Sequence, residues 1–180
     1  TDMDDLNTAV IESLSRAGVD CEAMPPRDWA IGVGTGFEGD LSGFVRDPGE
    51  PIPVTFGDVV DTSDSSKFGI LSGDHIMVRL GCEMPDVTAC AFLLGDVDGL
   101  MDKPPGEFDS KLLRTWNSKQ TFSGTHDLDQ DVTGGILLKA RCASEISRRV
   151  EQVWFLNGTV PSRVLDVMSH GDAVGTRILH

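Results

Sequence analysis

The chain has 180 residues, 39% of them hydrophobic and 24% charged, with a formal net charge of −14 at pH 7. These proportions are ordinary for a globular protein, and such negative charge excludes functions that need a basic surface, notably binding nucleic acid or an anionic membrane. We expect neither a signal peptide nor a transmembrane helix, because the first residues are acidic and polar and no apolar run approaches about 18 residues.

The first part of the chain predicts a helix followed by short strands. Apolar residues at helical spacing predict a helix over 2–17, which Gly18 ends. Short strands are predicted near 20–24 and 29–33, and at most a short helix near 41–45. A buried strand is predicted at 52–56, and a hairpin joins 59–60 to 68–71.

The rest of the chain alternates between helices and strands. Ser72 is predicted to cap a helix with Ile76, Met77 and Leu80 inward, and the apolar run 87–94 predicts a central parallel strand. Residues 104–131 are polar and predicted to be irregular, with 106–131 as the segment expected to be least ordered. Further elements are predicted as a helix over 134–149 with Ile136, Leu137, Ala140 and Ile146 on one side, a strand at 153–156, a helix at 161–168 and a strand at 175–179.

This alternation of strands and helices predicts the α/β class, with a mainly parallel sheet covered on both faces. We expect one domain over residues 1–180. The four cysteines contain no C-x-x-C pair, and the four histidines do not form a spaced ligand set, so the sequence predicts no metal site built from cysteine or histidine. Thiols without disulfides are typical of a reducing compartment, and we expect a cytoplasmic protein.

The run from Asp131 to Lys139 has the features of an anion site. Thr133 or Asp131 can cap the helix that follows, and Gly134 and Gly135 allow backbone N–H groups to approach a phosphate. Lys139 lies at least one turn into that helix, so its stem can reach back over the same anion. The alternative is a glycine-rich turn before a surface helix with a solvated lysine.

Two other polar motifs follow predicted strands. Ser72 and Gly73 open a helix whose N-terminus can hold a phosphate or oxyanion, and Asp74 can position a nearby lysine or a metal. Asp96 and Asp98, in the turn that ends at Gly99, can hold Mg²⁺ or a ribose. Each motif also has a structural alternative, because serine caps helices and aspartate forms turns. We expect all three motifs at one sheet edge, where ligands bind in open α/β folds.

The order of these motifs resembles the C-terminal two-thirds of amino acid kinase-fold enzymes, and most closely the isopentenyl phosphate and fosfomycin kinases. The resemblance implies a three-layer αβα sandwich that transfers the γ-phosphoryl group of ATP, with Mg²⁺, to a small phosphate, phosphonate or carboxylate acceptor. It also implies a homodimer. Five ordered segments carry it: 52–58 (IPVTFGD), 70–74 (ILSGD), 93–99 (LLGDVDG), 131–139 (DVTGGILLK) and 153–178, which begins VWFLNG and ends VGTRI.

The resemblance also assigns roles to single residues. It implies catalytic roles for Lys139, which neutralises charge on the transferred phosphoryl group, and for Asp74, which organises the active-site lysines. The residues implied in nucleotide binding are Asp96, Asp98, Gly99, Gly134, Gly135 and Lys139, and those implied in substrate binding are Ser72, Gly73 and Thr133.

The sequence departs from the family pattern in two places. Leu100 and Met101 follow the Asp-Val-Asp-Gly turn, where an aromatic residue is usual. The first strand of the family, with its lysine and Gly-Gly-Ser turn, and the Gly-rich loop after it have no counterpart here. We expect these ~80–90 residues, sized for a further βαβα portion of a domain, in a second chain or lost from this sequence. The alternatives are a kinase for another acceptor, such as fosfomycin, UMP or an amino acid, and a non-catalytic nucleotide- or oxyanion-binding or storage protein.

Overall fold

A computed structural model describes residues 2–63, 65–95, 97–120 and 135–180 of the chain. The chain forms two compact units, Thr1–Leu80 and Gly81–His180, and each contains a cluster of buried apolar side chains. The single domain expected from the sequence stays a prediction. Within the described ranges, no helix is both long and apolar enough to cross a membrane.

The first unit begins with a helix and continues in short strands, paired two by two. β1 pairs parallel with β4, whereas β2 with β3 and β5 with β6 are antiparallel. Single 3₁₀ turns occur at Pro26–Asp28 and Ser42–Phe44. The elements are α1 (Asp2–Arg16), β1 (Cys21–Ala23), β2 (Ala30–Ile31), β3 (Glu38–Gly39), β4 (Ile52–Val54), β5 (Asp58–Asp61), β6 (Phe68–Leu71) and α2 (Gly73–Glu83).

The β5–β6 hairpin, which the sequence predicts, supplies much of the first core. Because side chains alternate along a strand, Val60 and Leu71 face inward. They pack in one cluster with Ala30, Phe37 and Ile76. The opposite face is also apolar but is open to solvent, with Val59 52%, Ile70 64% and Phe68 65% exposed.

Two predictions for this unit need correction. The predicted strand at 52–56 is not buried: β4 belongs to a two-stranded sheet, and Ile52 is 54% exposed. An apolar run alone cannot tell a strand covered on both faces from one covered on a single face. In α2, Ile76 is buried and Leu80 packs against the same cluster, as predicted, but Met77 is only half-buried, and Val78 is the other buried apolar residue.

The described residues of the second unit form a four-stranded sheet and two helices. The strand order is β7-β9-β10-β8. β7 runs parallel to β9 and β8 parallel to β10, whereas β9 and β10 are antiparallel. The elements are β7 (Ala89–Leu94), β8 (Thr115–Trp116), α3 (Gly135–Ile146), β9 (Gln152–Asn157), α4 (Ser162–His170) and β10 (Gly175–Ile178).

Strand β9 is the centre of the second core. Its residues 153–156 are at most 2% exposed, which is the pattern of a strand covered on both faces. Trp154 and Leu156 pack with Val167 of α4. Phe155 alternates to the other face, and its ring centroid lies 5.1 Å from that of Phe92 in β7.

β10 is antiparallel to β9, because the chain reverses after α4 through Gly171 in the left-handed region, with φ 70. The other two strand pairs are parallel, as expected of a mainly parallel sheet. The second unit differs from the sequence prediction in three respects. β7 is parallel to its neighbour as predicted, but among the described strands it is the terminal one of its sheet rather than a central one. β8 lies within the segment predicted to be irregular, since two residues are too few to show a period. Leu137 is 37% exposed rather than inward.

A single buried hydroxyl ties together three segments of this unit. Thr176 in β10 is fully buried. Its Oγ1 accepts a hydrogen bond from the backbone N–H of Leu100 at 2.8 Å and donates one to the carbonyl of Leu113 at 2.5 Å. The segment between those residues closes on itself, because the N–H of Leu113 donates to the carbonyl of Leu100 at 2.8 Å.

The loop that this hydroxyl closes has a paired base and an open tip. At the base, the N–H of Asp102 donates to the carbonyl of Lys111 at 3.0 Å, and the N–H of Lys111 donates to the carboxylate of Asp102 at 2.7 Å. At the tip, Gly106 has φ 95 and Phe108 is 97% exposed. The loop therefore leaves and re-enters the unit at one fixed place.

We expect Thr176→Val to lower the free energy of unfolding by about 3 kcal/mol, because it leaves a buried N–H and a buried carbonyl without partners. Urea unfolding monitored by tryptophan fluorescence measures the change. Thr176→Ser is the matched control: it keeps the hydroxyl and should lose about 1 kcal/mol for the missing methyl group. A loss for Thr176→Val no larger than that for Thr176→Ser would contradict the stabilising role given to the hydroxyl.

Candidate active site

In the first unit, the residues predicted to hold an anion open helix α2. The side-chain oxygen of Ser72 accepts a hydrogen bond from the N–H of Asp74 at 3.3 Å, so the predicted cap is confirmed. Asp74 is only 8% exposed and lies in the first turn, where the helix dipole favours a negative charge. The predicted roles of Ser72, Gly73 and Asp74 toward a ligand stay predictions.

Gly57 and Gly73 allow two backbone segments to approach each other closely beside the start of α2. A Cβ atom on Gly57 would lie 3.3 Å from the backbone nitrogen of Gly73 and 3.4 Å from the carbonyl oxygen of Leu71. The end of the β4 segment and the beginning of α2 are thus in close approach, with little room for a side chain between them. This neighbourhood gives Gly57 a packing role at the edge of the site.

Arg27, which was not predicted from the sequence, stabilises the same edge. Arg27 donates to the buried carboxylate of Asp58 at 3.3 Å and to Asp4 of α1. The pKa of Arg27 is raised, chiefly by its hydrogen bond to Asp4. The N–H of Val59 donates to the same Asp58 oxygen at 2.9 Å, so the strand after Gly57 begins at a fixed place.

In the second unit, Asp98 is the best-defined of the predicted nucleotide residues. Its Oδ1 accepts hydrogen bonds from Arg163 Nη1 at 2.6 Å and from Asn157 Nδ2 at 3.1 Å. The Asp98 side chain is 43% exposed and that of Arg163 only 15%. No described residue donates to the other oxygen, Oδ2, so the described contacts hold the carboxylate by Oδ1 alone.

The charge of Asp98 is secured by the same contacts. The hydrogen bond from Arg163 lowers the pKa of Asp98 below its usual value, and the hydrogen bond from Asn157 adds to this effect. Partial desolvation opposes the shift but does not reverse it. The carboxylate is therefore ionised at neutral pH, and an ionised carboxylate can accept hydrogen bonds on either oxygen.

Position 99 has no room for a side chain, which explains the glycine there. A Cβ atom there would lie 2.5 Å from Oγ1 of Thr176 and 2.9 Å from Cδ1 of Leu112. Leu100, at the position where the family pattern has an aromatic residue, is 1% exposed and belongs to the core. The role predicted for Gly99 toward a nucleotide stays a prediction beside this packing role.

The third motif is described only from Gly135 onward. Gly135 begins α3 with φ 51, a conformation that favours glycine. Lys139 lies four residues further along α3 and is half-buried. Thr133, Gly134 and Asp96 lie outside the described residues.

The topology of the second unit brings two of the motifs to one edge. β7 and β9 are parallel, α3 packs on both, and α3 ends at Ile146, a short turn before β9 begins at Gln152. A helix joined to a strand by so short a turn runs back along the sheet, so it starts toward the carboxyl end of that strand. Gly135 and Lys139 therefore lie toward the edge where Asp98 and Gly99 follow β7. Arg163 and Asn157 belong to the same edge, although the sequence reading missed both.

The sequence of the chain matches a known family. The pattern of the amino acid kinase family covers residues 6–157. The chain belongs to this family. The resemblance and the α/β fold class predicted from the sequence are thereby confirmed, since the amino acid kinase fold has such parallel strands.

Relatives of this amino acid kinase chain include isopentenyl phosphate kinases. It is 31% identical to the one from Methanothermobacter thermautotrophicus, an alignment that covers 96% of this chain and 66% of that protein. It is also similar to a crystal structure of T. acidophilum isopentenyl phosphate kinase in a product complex, with a TM-score of 0.76, 29% identity, and coverage of 98% of this chain and 67% of the other. A substrate complex of isopentenyl phosphate kinase gives a TM-score of 0.75, 28% identity and coverage of 98% and 67%. The chain thus spans 66% of the length of its curated relative.

The lowered pKa of Asp98 predicts a pH-dependent contribution to stability. Because the folded-state pKa lies below the unfolded-state one, the contribution is present above the ordinary aspartate pKa and is lost as the pH falls through the folded-state value. We expect Asp98→Asn to be less stable than the unsubstituted protein at pH 7, and the difference to shrink in acid. Urea unfolding at a series of pH values measures this.

The matched control is Asp172→Asn, which removes the partner of Arg114 in the same unit. That pair is more exposed, with Asp172 72% exposed, so its contribution should be small at every pH. A stability difference for Asp98→Asn that did not change between neutral and acidic pH would contradict the electrostatic explanation.

Proposed function

We propose that the complete protein is an ATP-dependent small-molecule kinase that transfers the γ-phosphoryl group to a phosphate or phosphonate acceptor, most closely an isopentenyl phosphate kinase. The observation that carries this proposal is the similarity to isopentenyl phosphate kinases along 96% of the chain. The helix start at Gly135, the cation of Lys139 and the fixed carboxylate of Asp98 support it, because phosphoryl transfer depends mainly on positioning and charge stabilisation.

In this proposal the chain's own residues have separable tasks. Lys139 offsets negative charge on the transferred group, and the backbone around Gly135 binds phosphate oxygens. Asp98 and the turn at Gly99 hold the nucleotide on its ribose side. Ser72, Gly73 and Asp74 serve the acceptor and the lysines, with Thr133, Gly134 and Asp96 completing the set that the family pattern implies.

We propose that Mg²⁺ enters with ATP. Among the described residues, no three or more His, Cys, Asp or Glu side chains group together in a way that could hold a metal ion. Mg²⁺ is usually bound through one or two carboxylates together with substrate phosphates, and Asp98 has an oxygen available for such a contact. When bound, the ion would neutralise charge on the phosphates; the residues named above do the orienting.

We also propose that the complete protein contains the family's N-terminal third, in the same chain or a second one, and is a homodimer in the cytoplasm. The 66% coverage of the curated relative supports the first point. All four cysteines are thiols in the structure, which suits a reducing compartment.

Acceptor-dependent conversion of ATP to ADP tests the proposed activity. The complete protein is incubated with Mg-ATP and, separately, isopentenyl phosphate, fosfomycin, UMP and acetylglutamate. We expect ADP to form with isopentenyl phosphate well above the rate without acceptor. Nucleotide binding with no turnover on any acceptor would instead support a storage or binding protein, and turnover on another acceptor would move the assignment within the family.

Lys139→Ala should lower kcat by roughly 10²-fold or more, the usual loss when one preorganised charge is removed from a polar transition state. Circular dichroism should show an unchanged fold, because Lys139 is polar and only half-buried. Lys119→Ala removes an exposed lysine of the same unit and should leave kcat unchanged. Full activity of Lys139→Ala with every acceptor would disprove the role given to Lys139.

A further inference from the structure

The contact between Arg163 and Asp98 differs from another arginine–aspartate pair in its unit. Arg163 lies in the first turn of α4, its side chain is 15% exposed, and it reaches Asp98 at 2.6 Å. Arg114 and Asp172 form a looser pair at 3.1 Å, with side chains 50% and 72% exposed. A largely covered guanidinium on a short hydrogen bond constrains its partner far more than an exposed one does.

The side-chain amide of Asn157 holds Asp98 from a second direction, and its own orientation is fixed by other hydrogen bonds. The N–H and hydroxyl of Thr159 both donate to Oδ1 of Asn157, at 3.0 and 2.6 Å. With its oxygen occupied in this way, the amide of Asn157 turns its NH₂ group toward Asp98, to which it donates at 3.1 Å. The N–H of Gly158 donates to the carbonyl of Leu94 at 2.7 Å, which fixes this turn to the end of β7.

Both of these contacts end on the same oxygen of Asp98. Oδ1 receives Arg163 and Asn157, and no described residue donates to Oδ2. A carboxylate that is 43% exposed would otherwise rotate among several orientations, and fixing it before a ligand arrives removes an entropic cost of binding. The arrangement therefore orients one acceptor oxygen without occupying it.

We propose that Arg163 is a positioning residue for nucleotide binding, which acts through Asp98. It holds Oδ1 so that Oδ2 can accept a hydrogen bond from a hydroxyl donor of the ligand, such as the ribose of an adenine nucleotide. This inference rests on the proposed function, since it assumes that the complete protein binds ATP and ADP at the carboxyl end of β7.

Calorimetric titration of the complete protein with ADP tests the inference. We expect Arg163→Gln to weaken ADP binding about tenfold, the usual effect of losing one hydrogen bond to a charged group. Arg163→Lys should recover part of the affinity, because an ammonium can still reach Oδ1. Arg114→Gln is the matched control: it breaks the guanidinium–carboxylate pair with Asp172 in the same unit and should bind ADP as tightly as the unsubstituted protein.

A double-substitution cycle distinguishes positioning from direct contact. If Arg163 acts through Asp98, Asp98→Asn and Arg163→Gln together should weaken ADP binding no more than Asp98→Asn alone. Losses that multiply would mean that Arg163 contacts the nucleotide itself, and would overturn the inference.

Two further readouts separate the possible failures. Thermal unfolding of each variant checks the fold: if ADP affinity falls only in proportion to the melting temperature, and equally for Arg114→Gln, the pair is merely structural and the inference is wrong. If the unsubstituted protein binds no ADP, the proposed function fails. If it binds ADP and Arg163→Gln binds equally well, the inference alone fails.

Discussion

The hydroxyl of Thr176 is the constraint on which the candidate nucleotide edge depends. It is fully buried and joins β10 to the turn after β7 and to the segment that leads into β8. Because a buried polar group without a partner is costly, these three segments can shift only together. The same oxygen excludes a side chain at Gly99. The turn that carries Asp98 is thus fixed from behind by packing and hydrogen bonding, and from the side by Arg163 and Asn157.

The positive charges at the candidate site oppose the negative net charge of the whole chain. The net charge is −14, so the general field of the protein repels the phosphates of a nucleotide. Cations placed at the carboxyl edge of the sheet, and the helix start at Gly135, must therefore offset that field within a few ångströms. The side chain of Arg163 is 15% exposed and Lys139 is half-buried. Solvent therefore screens their positive charges less than it screens the charges of exposed side chains.

Local patterns predicted the elements that depend on local sequence. Helix α1, the cap at Ser72 and the β5–β6 hairpin were predictable because period, capping residue and turn composition lie within a few residues of one another. Contacts that organise the site were not predictable in this way. Leu100 and Thr176 are 76 residues apart in sequence, Asp98 and Arg163 are 65 apart, and Asp98 and Asn157 are 59 apart. A two-residue strand such as β8, and the direction of β10, are set by such long-range contacts. The order of the motifs along the chain, through the family resemblance, predicted the fold where periodicity could not.

The loop between Leu100 and Leu113 has a consequence for handling the protein. Its base is closed by backbone hydrogen bonds and by Thr176, whereas the tip around Gly106 and Phe108 is open to solvent. Sequence changes at such a tip are absorbed without loss of core contacts, because the ends of the loop are already held together. The tip is therefore a suitable attachment point for a fluorescent label or an inserted epitope beside the site, and a place within the described part of this unit where a protease would be expected to cut.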